Sequence, residues 1–178
     1  WPAYIDGPYA APTSSFYRAP VAVLIAGGIG VTPFASVIQS FLKSQRETPT
    51  HLYFHWLNRS QQSYSWFIDL IGQAENKLGE QRFNATIHLT RLALNLSNLI
   101  LQIGFNAYWY NNGKDALTGL CAKTQAGRPS WNDIFIQLRE THPKTTVHVY
   151  FCGPKPLAKQ LKSEATRQGL VFHEEQFD

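Results

Sequence analysis

Apolar residues fall into short blocks, and the spacing within the blocks alternates between two types. The first block, Val21 to Ala26, is an unbroken apolar run, which is typical of a strand buried on both faces of a parallel sheet. Apolar residues then recur at helical spacing from Phe34 to Leu42, which predicts an amphipathic helix. Thr32 is the expected N-cap of this helix and Pro33 its first residue. The pattern therefore predicts a strand, a turn and a helix.

The same unit recurs along the rest of the chain. Four further strands are predicted, at Leu52 to Leu57, Thr86 to Thr90, Thr146 to Phe151 and Leu170 to Phe172. Helical spacing predicts intervening helices at Trp66 to Leu78, Leu96 to Ile103, Trp131 to Leu138 and Leu157 to Ala165. Strands that alternate with helices imply right-handed crossovers. The expected fold is α/β, a doubly wound and mainly parallel five-stranded sheet with helices on both faces.

Three segments depart from this alternation. Residues Trp1 to Ala19 are rich in Pro, Gly, Ser and Tyr and are expected to form a loop. The stretch from Phe105 to Gly119 is aromatic and Asn-rich, and we expect an irregular insertion there. Ser130 and Asp133 have the spacing of a capping box at the start of a helix.

Composition narrows the possible classes of function. A length of 178 residues with 44% hydrophobic residues fits one domain with a substantial core. The net charge of +4 is mild, which suits a polyphosphate ligand or an anionic membrane surface and argues against nucleic-acid binding. Two cysteines provide neither a disulfide framework nor a zinc cluster, and the six scattered histidines favour ordinary packing over metal binding.

The chain as given is expected to be soluble and to be a fragment. Its apolar stretches are shorter than the roughly 20 residues of a membrane span, and it has no signal-peptide pattern. It begins at Trp1 and contains no methionine.

The turn after the first strand is the strongest candidate for ligand binding. Gly28, Gly30 and Pro33 form a G-x-G-x-x-P pattern between a predicted strand and a predicted helix. Glycines at this point let the backbone approach a pyrophosphate, and the start of the helix offers free N–H groups. The third glycine of the usual dinucleotide fingerprint is missing, and the absence of a Gly-Lys-Ser/Thr sequence excludes a P-loop. A tight turn without a ligand stays open as an alternative.

The residues after the second strand indicate which nucleotide would bind. An NAD site places an acid there, whereas this chain has Asn58, Arg59 and Ser60. The planar, charged fork of Arg59 suits a 2′-phosphate, so we predict NADPH rather than NADH. Arg91 and Arg128 either reach the same phosphate or are ordinary surface charges.

Cys152, Gly153 and Pro154 end another predicted strand at the same edge of the sheet. A lone cysteine is commonly a small buried hydrophobic residue. The following Gly-Pro favours a positioning role beside a nicotinamide, and no His or Asp has the spacing of a catalytic triad.

Together these motifs resemble the C-terminal dehydrogenase region of the NADPH oxidases, which is built like ferredoxin–NADP reductase. The matching segments occur in the same order and cover nearly the whole chain: Asp6 to Tyr9, Gly27 to Ser36, Trp56 to Arg59, Thr118 to Leu120, Gly127 to Pro129, Cys152 to Pro154 and a terminal Glu-x-Phe. The calcium-regulated branch with EF-hands is the branch that it resembles.

The resemblance implies a role for each matched residue. Gly28, Gly30 and Thr32 would hold the NADPH pyrophosphate, and Arg59 and Arg128 would bind the 2′-phosphate. The roles at the reactive end are also implied: Pro8, Tyr9 and Cys152 would border the nicotinamide, and Phe177 would cover the flavin and move aside before hydride transfer. The chain departs from the family pattern at two positions near these residues. Ala10 stands where the family usually has Gly, and Asp178 follows the terminal aromatic residue.

The resemblance also implies a larger parent protein. Residues 1–19 would be the linker from an FAD-binding domain, and residues 20–178 would be the NADPH-binding domain. Haem-bearing membrane helices would precede the FAD-binding domain, which places this region at the cytoplasmic face of a membrane, with a calcium-binding regulatory domain as a further partner. The expected reaction passes hydride from NADPH to FAD, and this chain alone is expected to be inactive. A ferric-chelate or soluble flavin reductase, or a non-catalytic NADPH sensor, are the alternatives.

Overall fold

The computed structural model describes residues 12–44, 46–59, 65–91 and 96–175. Its strands are Val21–Gly27 (β1), His51–Asn58 (β2), Phe83–Leu89 (β3), Lys123–Ala126 (β4), Val147–Cys152 (β5) and Val171–Glu175 (β6). They form one sheet in the order β4-β3-β2-β1-β5-β6, in which every neighbouring pair is parallel. The chain order therefore reverses between β1 and β5, which is the position where ligands bind in open α/β sheets.

Five α-helices connect successive strands. They are Thr32–Lys43 (α1), Ser65–Leu78 (α2), Leu96–Asn112 (α3), Trp131–Thr141 (α4) and Lys155–Arg167 (α5). Two short 3-10 helices, Pro12–Arg18 and Gly28–Val31, flank β1. The second leads directly into α1.

The apolar run of β1 contributes to two hydrophobic cores, because successive side chains of a strand point to opposite faces. Ala22, Leu24 and Ala26 pack in the core that contains buried residues of α1 and α2. Val21, Val23 and Ile25 pack in the core that contains buried residues of α4 and α5. The prediction of a doubly wound sheet is thus confirmed.

The predicted number of strands and one predicted insertion are wrong. The structure has six strands, because the polar segment Lys123–Ala126 is a sixth, edge strand. Hydrogen bonds to side-chain acceptors fix the backbone of this region: Asp115 accepts from the N–H of Thr124 at 2.7 Å, and Glu75 from the N–H of Ala122 at 2.6 Å. The stretch predicted to be irregular from Phe105 onward is largely the second half of α3.

Several predicted ends of elements also differ. Thr32 is the first residue of α1 instead of its N-cap, since the preceding 3-10 helix makes Val31 the cap. Ser130 is the N-cap of α4, but its side chain makes no capping hydrogen bond, so the capping box is not formed. The predicted N-terminal loop contains the 3-10 helix Pro12–Arg18, whose Phe16 is fully buried in the core.

The six histidines lie in three pairs on neighbouring elements. The pairs are His55 with His88, His148 with His173 and His51 with His142. His55 and His88 are joined by an Nδ1···Nε2 hydrogen bond of 3.3 Å, and the Trp131 ring packs edge-on against both. Burial lowers the pKa of His55 to about 4, and burial together with the neighbouring His55 lowers that of His88 to about 3. Both imidazoles are therefore neutral at pH 7.

We expect the free energy of unfolding to fall as the pH decreases from 6.5 to 5. Below about pH 6.5 the unfolded chain protonates His55 and His88, whereas the folded chain resists protonation until its lowered pKa values are reached. Each histidine should cost about 1–2 kcal/mol over this range. Urea titrations at several pH values would measure the slope. The His88→Gln variant should have a shallower slope, and equal slopes would contradict the assignment.

Candidate functional site

An open cleft of about 730 Å³ lies at the carboxyl edge of the sheet, at the reversal of chain order. Its lining comes from the turns that follow β1, β2, β3, β4 and β5. The lining residues are Gly27, Gly28, Leu57, Asn58, Arg59, Thr90, Arg128, Pro129, Trp131, Pro154, Pro156, Leu157 and Gln160. The structure thus brings together five of the residues predicted from the sequence: Gly28, Asn58, Arg59, Arg128 and Pro154.

Gly28 forms the turn at the floor of this cleft. Its φ of +59° lies in the left-handed region that favours glycine, and no atom would lie within 4 Å of an added Cβ. Its carbonyl accepts a hydrogen bond of 3.0 Å from Trp56 Nε1 on β2. The turn is therefore held in place by the adjacent strand while its outer side stays open to a ligand.

Gly30 acts by packing and does not line the cleft. It is buried, and an added Cβ would lie 2.3 Å from the carbonyl oxygen of Cys152. A Cβ on Gly27 would likewise lie 2.8 Å from Pro154 Cδ, and one on Gly153 would lie 3.0 Å from Gly27 Cα. The backbone after β1 and the backbone after β5 are thus in direct contact, with no side chain between them.

Thr32 and Pro33 lie beyond the turn, outside the residues that line the cleft. Thr32 is exposed, and its Oγ1 donates a hydrogen bond of 2.9 Å to the carbonyl of Ile29. This bond joins the 3-10 turn Gly28–Val31 to the first turn of α1.

Cys152 is buried beneath the contact between the two turns. Only 1% of its surface is exposed, and its side chain belongs to the core on the α1 and α2 face. Burial, and to a lesser extent Glu175, raises the pKa of its thiol to about 11. The thiol is therefore protonated at physiological pH.

Two arginines that line the cleft are held by the turns after β2 and β4, the strands on either side of β3. Asn58 Oδ1 accepts the backbone N–H of Arg59 at 2.6 Å, and the Asn58 carbonyl accepts both the N–H and the hydroxyl of Thr90. The backbone N–H of Gly127, next to Arg128, donates to the carbonyl of Leu89 at 2.9 Å. A smaller recess of about 410 Å³ beside the cleft is lined by Arg59, Thr90, Arg91 and Arg128.

Several residues that line the cleft were not predicted from the sequence. Trp131, at the start of α4, and Pro156, Leu157 and Gln160, in the first turns of α5, close one side of it. The feature that these residues share in the sequence is that each lies shortly after a strand that ends at this edge of the sheet. No motif marks them.

The remaining predicted residues cannot be placed. Pro8, Tyr9 and Phe177 lie outside the described residues, as do Ala10, Ser60 and Asp178. Within the described ranges no three His, Cys, Asp or Glu side chains come together as a metal site. No helix within those ranges has the length and hydropathy of a membrane span.

Comparison with known proteins identifies relatives over most of the chain. A family model described as the ferric reductase NAD binding domain matches residues 20–166. NADPH oxidase 3 of Homo sapiens is 35% identical over 95% of this chain, and NADPH oxidase 5 of Homo sapiens is 36% identical over 98%. A superoxide-generating NADPH oxidase heavy chain of Dictyostelium discoideum is 32% identical over 97%.

The chain spans only part of these relatives, 31% of the first and 26% of each of the other two. Among solved structures, a flavohemoglobin from Malassezia yamatoensis with bound FAD and heme matches with a TM-score of 0.56 and 14% identity. That match covers 91% of this chain and 34% of the flavohemoglobin chain. It supports the fold assignment alone.

The contact between the two turns predicts different effects for two glycine substitutions. We expect Gly30→Ala to lower the free energy of unfolding by about 3 kcal/mol, because the new Cβ collides with the backbone of Cys152. Gly104→Ala is the matched control, since Gly104 lies in α3 with open space around it, and should raise stability by up to about 1 kcal/mol. Chemical denaturation of both variants would test this, and a Gly30→Ala variant as stable as the parent would contradict the packing role.

Proposed function

The chain belongs to the family of ferric reductase NAD-binding domains, and we propose that it binds NADPH and presents it for hydride transfer to FAD within a flavoprotein oxidoreductase. The single observation that carries this proposal is the cleft. It extends from the open glycine turn after β1, at the reversal of chain order, to the arginines that follow β2 and β4.

The pyrophosphate of the coenzyme would lie over Gly28. The open space outside this residue allows close approach to the backbone, as a phosphate group requires. Gly30 does not contact the ligand in this proposal. Its close packing against Cys152 fixes the position of the turn that carries Gly28. The cleft volume lies within the range of sites for ligands of this size.

The 2′-phosphate would bind between Arg59 and Arg128. A guanidinium group pairs with phosphate through two parallel hydrogen bonds and stays charged at every physiological pH. Asn58 positions Arg59 through the bond to its backbone N–H and at the same time closes the end of β2. The absence of an acid at this position removes the group that would favour NADH.

The nicotinamide would lie toward Gly153 and Pro154, where Pro154 is the N-cap of α5 and Pro156 lies in its first turn. Proline has no N–H group, so this wall offers an apolar surface that helps to exclude water. The Cys152 side chain lies in the core and not among the residues that line the cleft, so its proposed contribution beside the ring is to hold the Gly30 turn through its backbone carbonyl. Pro8 and Tyr9 are proposed to border the same ring, and Phe177 to cover the flavin.

The identity of the parent is proposed from the relatives. NADPH oxidases match at 35–36% identity, so the proposed parent is a superoxide-producing NADPH oxidase with an FAD-binding domain and a haem-bearing membrane domain, and this domain lies at the cytoplasmic face. A calcium-binding regulatory domain is a further proposed partner. The family description favours a ferric-chelate reductase as the second candidate.

The Arg59→Ala variant should bind NADPH about tenfold more weakly and bind NADH unchanged, because it loses a charge-assisted hydrogen bond to the 2′-phosphate alone. Titration of NADPH and NADH fluorescence would measure both affinities. Arg139→Ala, an exposed arginine in the last turn of α4, is the matched control. A parent chain that binds neither coenzyme, or prefers NADH, would overturn the proposal.

We further expect the 178-residue chain to reduce an artificial dye with NADPH only slowly, since hydride transfer requires the flavin as acceptor. Absorbance at the NADPH band would follow the reaction. Rapid dye reduction by the chain without added flavin would count against the proposed division of roles.

A further inference from the structure

A third arginine, Arg91, reaches the recess beside the cleft together with Arg59 and Arg128. The sheet register explains why the three meet. The last residues of β2, β3 and β4 are level, since Asn58 pairs with Leu89 and Leu89 pairs with Ala126. Arg59 follows β2 by one residue, and Arg91 and Arg128 follow β3 and β4 by two, so Arg91 stands between the other two on a strand about 5 Å from each of theirs.

The turn that carries Arg91 is anchored to the turn that carries Arg59. Thr90 donates twice to the Asn58 carbonyl, from its N–H at 2.8 Å and from its hydroxyl at 3.0 Å. Thr90 also lines both the cleft and the recess. These bonds fix the backbone next to Arg91, while the Arg91 side chain remains exposed.

Among the described residues, no carboxylate forms an ion pair with any of these three arginines. In the part of the chain that the structure describes, the only ion pair joins Arg167 and Glu164. The sequence has no Asp or Glu in 58–65 or in 90–97, and the first acid after Arg128 is Asp133. Three arginines therefore line one recess, and an anion bound there would offset the repulsion between their charges.

We propose that Arg91 is a specificity-determining residue that binds the 2′-phosphate together with Arg59 and Arg128. This inference rests on the proposed function. A phosphate monoester carries nearly two negative charges at pH 7 and has three terminal oxygens, which can accept hydrogen bonds from three guanidinium groups. Arg91 raises the preference for NADPH over NADH beyond what the other two arginines provide.

The test compares single variants of the chain in binding titrations with NADPH, NADH, 2′,5′-ADP and 5′-ADP. Arg91→Ala should weaken the binding of NADPH and of 2′,5′-ADP about tenfold and leave NADH and 5′-ADP unchanged. The Arg91→Lys variant keeps the positive charge, so its affinity for NADPH and 2′,5′-ADP should fall less than that of Arg91→Ala. Arg18→Ala is the matched control, since this exposed arginine ends the 3-10 helix before β1, at the opposite edge of the sheet.

The outcomes separate this inference from the proposed function. If Arg59→Ala loses NADPH selectivity while Arg91→Ala binds all four ligands like the parent chain, the role of Arg91 is overturned and the proposed function stands. An equal loss for NADPH and NADH in Arg91→Ala also overturns the inference, because it shows that no contact is specific to the 2′-phosphate. A parent chain that binds none of the four ligands overturns the proposed function itself.

Discussion

The architecture depends on a contact between two stretches of backbone that have no side chains between them. The turn after β1 packs against the turn after β5, with Gly30 on the carbonyl of Cys152 and Gly27 on the backbone of Gly153. This contact brings the two strands at the reversal of chain order close together at their carboxyl ends. A Cβ on Gly27 or Gly30 would hold the two turns apart and change the shape of the cleft floor. The cleft exists because glycine stands at these positions.

The sequence was informative wherever burial or backbone geometry allows few residue types. The apolar run Val21 to Ala26 predicts a strand covered on both faces, because both of its faces must be apolar, and the structure has two cores there. Gly28 and Arg59 were predicted from their positions after strands and Arg128 from the Gly127-Arg128-Pro129 segment, and all three line one cleft. Those predictions relied on topology, since parallel strands end at a common edge.

The elements that the sequence did not reveal are those held by polar contacts or covered only in part. The edge strand β4 has one buried residue, Thr124, so it lacks the apolar signal of a strand. Its neighbourhood is fixed by the Asp115 and Glu75 carboxylates, which come from other parts of the chain. The second half of helix α3, which follows the part that was predicted, exposes Tyr108 and Tyr110, so its aromatic residues do not mark a buried face. The sequence also did not reveal that the two glycines of the turn have different roles. Gly28 lines the cleft and Gly30 packs beneath it, and a G-x-G spacing does not distinguish these positions.

The floor and the rim of the cleft differ in how freely their residues can be substituted. The floor consists of backbone in contact with backbone, so a single substitution there disturbs two loops at once and requires a compensating change. The arginines of the rim are exposed and stand on turns fixed by main-chain bonds, so each can be exchanged independently. Under the proposed function, coenzyme preference would then be a trait separable from the scaffold, because the exposed arginines could be exchanged one at a time while the contact between the turns stays intact.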